Sequence, residues 1–310
     1  MPEFGAKVFS EKKPGEELLD FIAQRMNLPQ GAVAVKNYLI ELKKAGIASG
    51  KKLAGELQLP FPVVAKIKNE LVKQGLVDEG LEGVSLTAKG RQFIEDLSIT
   101  TAGYSLACKS CNGKTVTLNE ALQKAAALID ELQAKRKPKM LIDQNFVTGK
   151  SSALRAALML ESNDLEGKKI AFIGDSDLTS IAAASLGVAR KITVFDIDDE
   201  LLSLISRTAK ERRLAIECVR QDFREELKSN EKFDVFSTDP PYTFDGLKAF
   251  LAAGKNLALI GYLTFSMKTP NELLSVQKIL LDEGFNISLF LPAFNEGRHF
   301  RRKGLHRKAG

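Results

Sequence analysis

Five segments rich in apolar residues, each separated from the next by a polar or helical stretch, constrain the fold of this chain most strongly. They span residues 168–174, 191–196, 215–222, 232–239 and 256–265. Apolar runs of this length are typical of strands in a parallel sheet whose two faces are both covered by helices. The pattern predicts a Rossmann-like, doubly wound α/β sheet. Its ligand site is expected at the carboxyl ends of the strands.

Residues 15–98 follow a different pattern, with short amphipathic helices, a hairpin containing glycine and a closing helix. This order resembles a winged helix. One interpretation is DNA binding through Lys66, Lys68 and Lys73, and the other is a dimerisation or substrate-covering domain. Residues 1–100 carry 14 Lys and Arg against 13 Asp and Glu, a balance poorly suited to gripping phosphates. The charge therefore favours the second interpretation and leaves nucleic-acid binding open.

These patterns predict four parts along the chain. They are a winged-helix domain (1–100), a connector and helix (101–140), a Rossmann-like domain (141–296) and a basic tail (297–310). The tail holds six Lys and Arg and no acid, so the formal charge of +6 belongs to it and residues 1–296 are neutral. Both histidines, His299 and His306, also lie in the tail. Acid–base chemistry in the rest of the chain must therefore use other side chains.

The composition narrows the cellular setting. No apolar run approaches the roughly 20 residues of a membrane span, and the first residues lack the apolar core of a secretory signal. Three cysteines give no disulfide framework. We therefore expect a cytoplasmic protein without a membrane partner. Cys108 and Cys111 supply half of a tetrahedral zinc site, which is too little to predict a metal.

Carboxylates follow three successive predicted strands. Gly174 is followed by Asp175 and, one serine later, Asp177, where a dinucleotide-binding sheet would have a glycine-rich loop. Two acids there would repel a pyrophosphate, which argues against NAD and FAD. Asp196 stands 22 residues after Gly174, close to the spacing of an acid that accepts ribose hydroxyls. Asp222 is placed to accept a hydrogen bond from an adenine amino group. Together these acids predict an adenosine site.

The fourth strand ends in the sequence Asp239-Pro240-Pro241-Tyr242. Two prolines make this turn rigid, because each ring fixes φ and removes an N–H group. The Asp239 carboxylate and a carbonyl can accept hydrogen bonds from an amine, and the Tyr242 ring can cover it. The motif predicts a site that aims an amine lone pair at an electrophilic carbon.

Taken alone, DPPY resembles the motif of amino-methyltransferases that act on nucleic-acid bases. A wider set of motifs resembles the branched-chain polyamine synthases, also called bis-aminopropyl-spermidine synthases. These motifs are DQNFVT (143–148), GDSDLTSIA (174–182), VFDIDDELL (194–202) and the segment around DPPY (233–251). Where this chain has Ser176, that family usually has a third acid.

The resemblance implies a methyltransferase-type fold and transfer of aminopropyl groups to the secondary amine of spermidine. It also implies decarboxylated S-adenosylmethionine as the donor, methylthioadenosine as the by-product, and Gln144 and Phe146 in the donor site. We expect a homodimer. Asp175 and Asp177 would repel the carboxylate of ordinary S-adenosylmethionine and attract the ammonium group of the decarboxylated donor.

We assign Asp177 as the general base, Asp239 as the group that orients the amine, and Asp175 as a third catalytic acid. Asp175, Asp177, Asp239 and Asp245 are expected to contact the cationic polyamine, with Pro240 and Tyr242 also in the substrate site. Two other functions stay open. One is methylation of DNA or RNA amines from S-adenosylmethionine. The other is a regulator that only senses a ligand, which has no need for the intact DPPY motif.

Overall fold

The structure is a computed structural model in which the chain divides into two compact units, Met1–Gly103 and Tyr104–Gly310. It describes residues 14–28, 31–57, 59–97, 99, 105–109, 115–136, 146–265, 269–291 and 294–295. The basic tail 297–310, Gln144 and Cys111 lie outside these residues. The unit boundary falls three residues from the predicted end of the first domain, and the finer boundaries remain predictions.

The first unit contains five helices and a small antiparallel sheet within its described residues. In chain order these are α1 (Pro14–Arg25), α2 (Ala32–Ala45), β1 (Ile47–Ala48), α3 (Gly50–Leu57), α4 (Phe61–Lys73), β2 (Val77–Gly80), β3 (Gly83–Leu86) and α5 (Ala88–Asp96). The strand order is β1-β3-β2. The hairpin and both predicted helices around Pro60 are present. The two-residue strand β1 was not predicted, because a strand this short has no sequence periodicity.

The core of the first unit is built from the apolar stripes of its helices. Tyr38 and Leu39 of α2 and Ile67 and Leu71 of α4 are fully buried. Thr87 caps the start of α5, and its hydroxyl accepts a hydrogen bond from the backbone N–H of Gly90 at 2.9 Å. Such a cap satisfies one of the N–H groups that a helix leaves unpaired at its start.

The described residues of the second unit contain six helices and five strands. They are α6 (Glu120–Ala134), α7 (Gly149–Glu161), β4 (Lys169–Ile173), α8 (Thr179–Ser185), β5 (Lys191–Asp196), α9 (Asp199–Arg212), β6 (Ile216–Arg220), β7 (Val235–Thr238), α10 (Phe244–Leu257), β8 (Ile260–Leu263) and α11 (Pro270–Asp282). The five strands are all parallel, in the order β6-β5-β4-β7-β8. Each lies within one of the predicted apolar segments.

Consecutive residues are buried along β4, β5 and β7. Since neighbouring side chains on a strand point to opposite faces, both faces of the central sheet are covered. On one face the Phe236 ring lies so close to α10 and β8 that a Cβ at Gly254 or Gly261 would come within 2.5 Å of it. Small residues at these two positions let the helix and the edge strand close over the ring.

The chain order reverses between β4 and β7. These strands are neighbours in the sheet, whereas β5 and β6 lie on the other side of β4. The Thr238 hydroxyl donates to the Ile173 carbonyl at 2.8 Å, which ties the two carboxyl ends together. This is the switch point at which doubly wound sheets bind ligands.

None of the helices in the described parts of the chain combines the length and the apolar character needed to cross a membrane.

Candidate active site

The loop after β4 turns sharply and points two carboxylates inward. Gly174 has a φ of 70° and Leu178 a φ of 59°, so the loop is left-handed at both ends. A Cβ at Gly174 would lie 2.9 Å from the Phe250 ring, which explains glycine there. Between these two residues, Asp175 and Asp177 are almost completely buried. The predicted pair of acids is therefore part of the interior and not a solvated turn.

Asp175 caps the start of α8. Both of its carboxylate oxygens lie 3.3 Å from the backbone N–H of Ser180. Burial raises the pKa of Asp175 to about 7, against the hydrogen bonds from Ser180 that lower it. A buried acid of this kind changes its charge near neutral pH.

Asp177 is held on both oxygens. Its Oδ1 accepts a hydrogen bond from the backbone N–H of Val147 at 3.0 Å, and its Oδ2 accepts one from Nη1 of Arg155 at 2.9 Å. This arrangement anchors Asp177 firmly. The assignment of Asp177 as the general base remains a prediction.

Asp239 lies at the end of the neighbouring strand, where its Oδ2 accepts a hydrogen bond from Nη2 of Arg155 at 3.1 Å. Burial raises the pKa of Asp239 well above its usual range, and the Arg155 charge opposes that rise. Pro240 is buried, while the Tyr242 ring is partly exposed and packs edge-on against Phe265 at 5.4 Å. Burial also raises the pKa of the Tyr242 hydroxyl, with Asp239 contributing, so this side chain stays neutral.

Arg155 was not identified from the sequence. It lies on α7, and its guanidinium bridges Asp177 and Asp239 with an exposed side-chain fraction of 11%. Its Nε also donates to Oδ1 of Asn295 at 3.0 Å. The available signal was a single arginine inside the small, apolar run SSALRAALML, but one cation in a helix looks like an ordinary surface residue.

One pocket brings these groups together at the switch point. Its lining includes Arg155, Gly174, Asp175, Ser176, Asp177, Thr179 and Asp239. The Thr179 hydroxyl is buried and has no hydrogen-bond partner among the described residues. The pocket thus combines three carboxylates, one guanidinium and an unsatisfied hydroxyl.

The two acids predicted to bind adenosine are Asp196 and Asp222. Asp196 is buried, and its two oxygens accept the backbone N–H groups of Asp175 and Asp198 at 3.1 and 2.9 Å. Asp222 pairs with Arg224 at 2.6 Å, and this pairing lowers the pKa of Asp222 to about 2. Asp196 ends β5 and Asp222 lies two residues after β6, and both already hold local partners. Their roles in binding a nucleoside remain predictions.

Phe146 is buried, and the guanidinium of Arg136 lies over its ring at 4.4 Å from the centroid. Arg136 also donates to the Ser176 carbonyl at 2.8 Å. A second cation thus lies beside the acidic loop, so the loop repels a donor carboxylate less than its sequence alone implies. Phe146 is therefore covered within the protein, and its predicted role in the donor site remains a prediction.

Two other predicted groups lie apart from the pocket lining. Asp245 is exposed in the first turn of α10, where a carboxylate stabilises the helix N-terminus. Cys108 is half-buried and its partner Cys111 lies outside the described residues. No group of three or more His, Cys, Asp or Glu residues able to hold a metal occurs in the part of the chain that the structure describes.

Comparison with known proteins shows which family the chain is similar to. Residues 126–307 match the family described as the branched-chain polyamine synthase A C-terminal domain. An uncharacterised protein of Methanocaldococcus jannaschii is 39% identical over 92% of this chain and 75% of its own length. The N(4)-bis(aminopropyl)spermidine synthase of the same organism is 32% identical over 77% of this chain and 68% of its own length.

A solved structure agrees with these matches. The branched-chain polyamine synthase from Thermus thermophilus, in complex with N4-aminopropylspermidine and 5'-methylthioadenosine, is similar with a TM-score of 0.54 and 25% identity. The match covers 93% of this chain and 84% of that one. The fold is thus methyltransferase-like α/β with a parallel sheet, carrying its acidic pocket at the switch point. The chain belongs to the branched-chain polyamine synthase family.

Proposed function

We propose that this chain transfers aminopropyl groups from decarboxylated S-adenosylmethionine to the secondary amine of spermidine or a related polyamine. The supporting observation is that Asp175, Asp177, Asp239 and Arg155 line one small pocket, in which Arg155 bridges Asp177 and Asp239. When the three acids are ionised, three negative charges face two positive ones, Arg155 in the pocket and Arg136 beside the loop. Because unbalanced buried charge is costly, a bound cation stabilises this site. A polyamine and the ammonium group of the decarboxylated donor are both cations.

The reaction is a direct displacement. The secondary nitrogen of the acceptor forms a bond to the donor's propyl carbon that is attached to sulfur, and the bond between that carbon and the sulfonium breaks. The sulfur keeps the electron pair and leaves as the neutral thioether methylthioadenosine. The nitrogen becomes tertiary and loses its proton to a base. Aligning the nitrogen and the carbon lowers the barrier because the reactants no longer need to find each other in solution.

Asp239 is the base in this proposal, and Asp177 is its anchor through Arg155. Two observations support exchanging the roles assigned from the sequence. Asp177 is held by fixed donors on both oxygens. Asp239 has a pKa raised by burial, and a carboxylate with a raised pKa is a better proton acceptor.

The donor is proposed to be the decarboxylated form. Asp175 and Asp177 lie on the loop after β4 and favour an ammonium group over a carboxylate there. Arg136 beside Ser176 weakens this preference without reversing the acidic majority. Methyl transfer from ordinary S-adenosylmethionine is therefore the alternative that any assay must include.

The identity of the acceptor must be tested with more compounds than the identity of the donor. The chain is 39% identical to an uncharacterised protein of M. jannaschii and 32% identical to the named synthase of that organism. The named relatives support spermidine as the acceptor, and the uncharacterised relative names none. Spermidine, its aminopropylated product and shorter diamines should be compared.

The first unit is proposed to be a winged helix that does not grip DNA. Its helices and β2–β3 hairpin follow that order, and two of the three candidate lysines are paired, Lys68 with Glu79 and Lys73 with Glu70.

We also propose a homodimer, because Leu274 and Leu281 lie seven residues apart on one face of α11 and are exposed. Gel filtration with light scattering and a DNA mobility shift test these two points.

The function is tested by measuring methylthioadenosine release with decarboxylated S-adenosylmethionine and each polyamine. We expect release that requires an acceptor with an internal amine, which is secondary in spermidine and tertiary in its aminopropylated product. With spermidine, release should fall sharply in Asp239→Ala. The same rate without acceptor, or with a diamine that lacks a secondary amine, would contradict the proposal.

A further inference from the structure

The guanidinium of Arg155 joins three segments that are far apart in the sequence. It reaches Asp177 after β4 at 2.9 Å, Asp239 after β7 at 3.1 Å and Asn295 near the C-terminus at 3.0 Å. Each bond uses a different nitrogen. One side chain on α7 therefore determines how far apart the two carboxylates stand and where the segment around Asn295 lies.

The chemistry of arginine suits this role. Its guanidinium is planar, always charged and donates in fixed directions, whereas a lysine ammonium is a point charge on a flexible stem. A charge taken out of water is tolerated only when its donors are paired. The side-chain oxygen of Asn295 accepts a hydrogen bond from Nε, the one guanidinium nitrogen that does not donate to a carboxylate. Asn295 thereby fixes the rotation of the guanidinium plane about the end of its stem.

We propose that Arg155 and Asn295 are positioning residues for the aminopropyl transfer, with Asn295 orienting the guanidinium and the guanidinium holding Asp239 at the distance where it meets the acceptor nitrogen. The inference rests on the proposed function, in which Asp239 takes the proton. Neither residue needs to touch a substrate. Their contribution reaches the reaction through the placement and the charge of Asp239.

A loosened guanidinium has a distinct effect on Asp239. The ionisable groups that face this carboxyl are Arg155 from α7, Asp177 from the loop after β4 and Tyr242 from its own loop. Arg155 lowers the pKa of Asp239, while burial and Asp177 raise it. When Arg155 moves away, the pKa of Asp239 rises further. The base is then deprotonated only at higher pH, so the acidic limb of the rate profile moves to higher pH.

The experiment compares Arg155→Lys and Asn295→Ala with two control variants in the full chain. Arg207→Lys changes an exposed arginine on α9, and Asn286→Ala changes an exposed asparagine in the segment after α11. kcat, KM for each substrate and the pH dependence of kcat are measured with decarboxylated S-adenosylmethionine and spermidine. Thermal unfolding is recorded for every variant.

We expect Arg155→Lys to lower kcat about 100-fold, the size of a loss caused by misplacing a reacting group by about 1 Å. Asn295→Ala should lower kcat about 10-fold, which corresponds to about 1.4 kcal/mol, near the lower end of what a hydrogen bond to a charged group is worth. Both should move the acidic limb to higher pH and leave KM for the donor within a few fold. The controls should match the wild type.

A purely structural role would lower the unfolding temperature and the amount of active enzyme without moving the pH profile, and that result overturns the inference. If the Arg155→Lys variant does not fold, the pH profile of Asn295→Ala alone tests the inference. An active wild type with an unchanged Asn295→Ala profile overturns this inference and leaves the proposed function standing. A wild type that is inactive with every polyamine overturns both.

Discussion

At the scale of single residues, the two carboxylates bridged by Arg155 differ in what each can do. Replacing Asp239 with Asn removes the proton acceptor while keeping the shape. Loss of a general base costs about 100- to 10,000-fold in rate, so we expect kcat of Asp239→Asn to fall by that amount. The assay is aminopropyl transfer to spermidine. Asp282→Asn, at the exposed end of α11, is the matched control and should be unaffected.

The companion variant Asp177→Asn should lose mainly stability. An amide has one oxygen, whereas the backbone of Val147 and the guanidinium of Arg155 both donate to this side chain. Removing one partner of a buried ion pair costs about 3–5 kcal/mol, so the main loss should be in the free energy of unfolding. A well-folded Asp177→Asn without turnover, beside an active Asp239→Asn, would restore Asp177 as the base.

Gly174 allows a second prediction at this scale. Its φ of 70° costs an alanine about 1–2 kcal/mol, and the new Cβ would also meet the Phe250 ring at 2.9 Å. Gly187 has a φ of 66° but nothing within 4 Å, so Gly187→Ala isolates the backbone cost. We expect urea unfolding to show Gly174→Ala to be less stable than Gly187→Ala by about 1–3 kcal/mol. Equal losses would mean that the Phe250 contact does not matter.

At the scale of elements, the loop between β4 and α8 makes stability depend on pH. Folding raises the pKa of Asp175 to about 7, compared with about 3.9 for an unfolded aspartate. The folded chain binds this proton more tightly, so the contribution of Asp175 to the free energy of unfolding falls as pH rises from about 4 to about 7. The upper limit is about 1.4 kcal/mol per pH unit.

Asp175→Asn removes this titration. Urea unfolding of the variant and the wild type should therefore diverge across that pH range, the wild type losing stability relative to the variant, and the difference should level off above it. Titrating groups that do not interact with Asp175 cancel in the difference. A stability difference that stays constant with pH would contradict the raised pKa of Asp175.

The elements also mark where sequence reasoning succeeds. Strand β5 has the predicted limits, because its apolar run ends sharply at Asp196. Placing GDSD and DPPY at one edge followed from parallel strands meeting at their carboxyl ends. Arg155 and Arg136 were missed, since no local pattern separates a helical arginine that points inward from one that points to solvent. The partners of Asp196 and Asp222 were missed because they depend on loop conformations.

At the scale of the whole molecule, the charge distribution indicates that the polyamine is attracted by the pocket and not by the net charge of the protein. Residues 1–296 have no net charge and the six excess cations belong to residues 297–310. A polycationic acceptor therefore meets no acidic field over the molecule as a whole, and the attraction comes from the pocket at the switch point. Because the carboxylates there are buried, salt screens them much less than it screens surface charges.

The measurement that tests the central claim most directly is a competition between the two donors. The protein is supplied with equal amounts of decarboxylated and ordinary S-adenosylmethionine together with spermidine, and the products are identified by tandem mass spectrometry. We expect spermidine carrying an aminopropyl group on its secondary nitrogen, with methylthioadenosine as the by-product. Methylated spermidine with S-adenosylhomocysteine, or an aminopropyl group on a terminal nitrogen, would contradict the account.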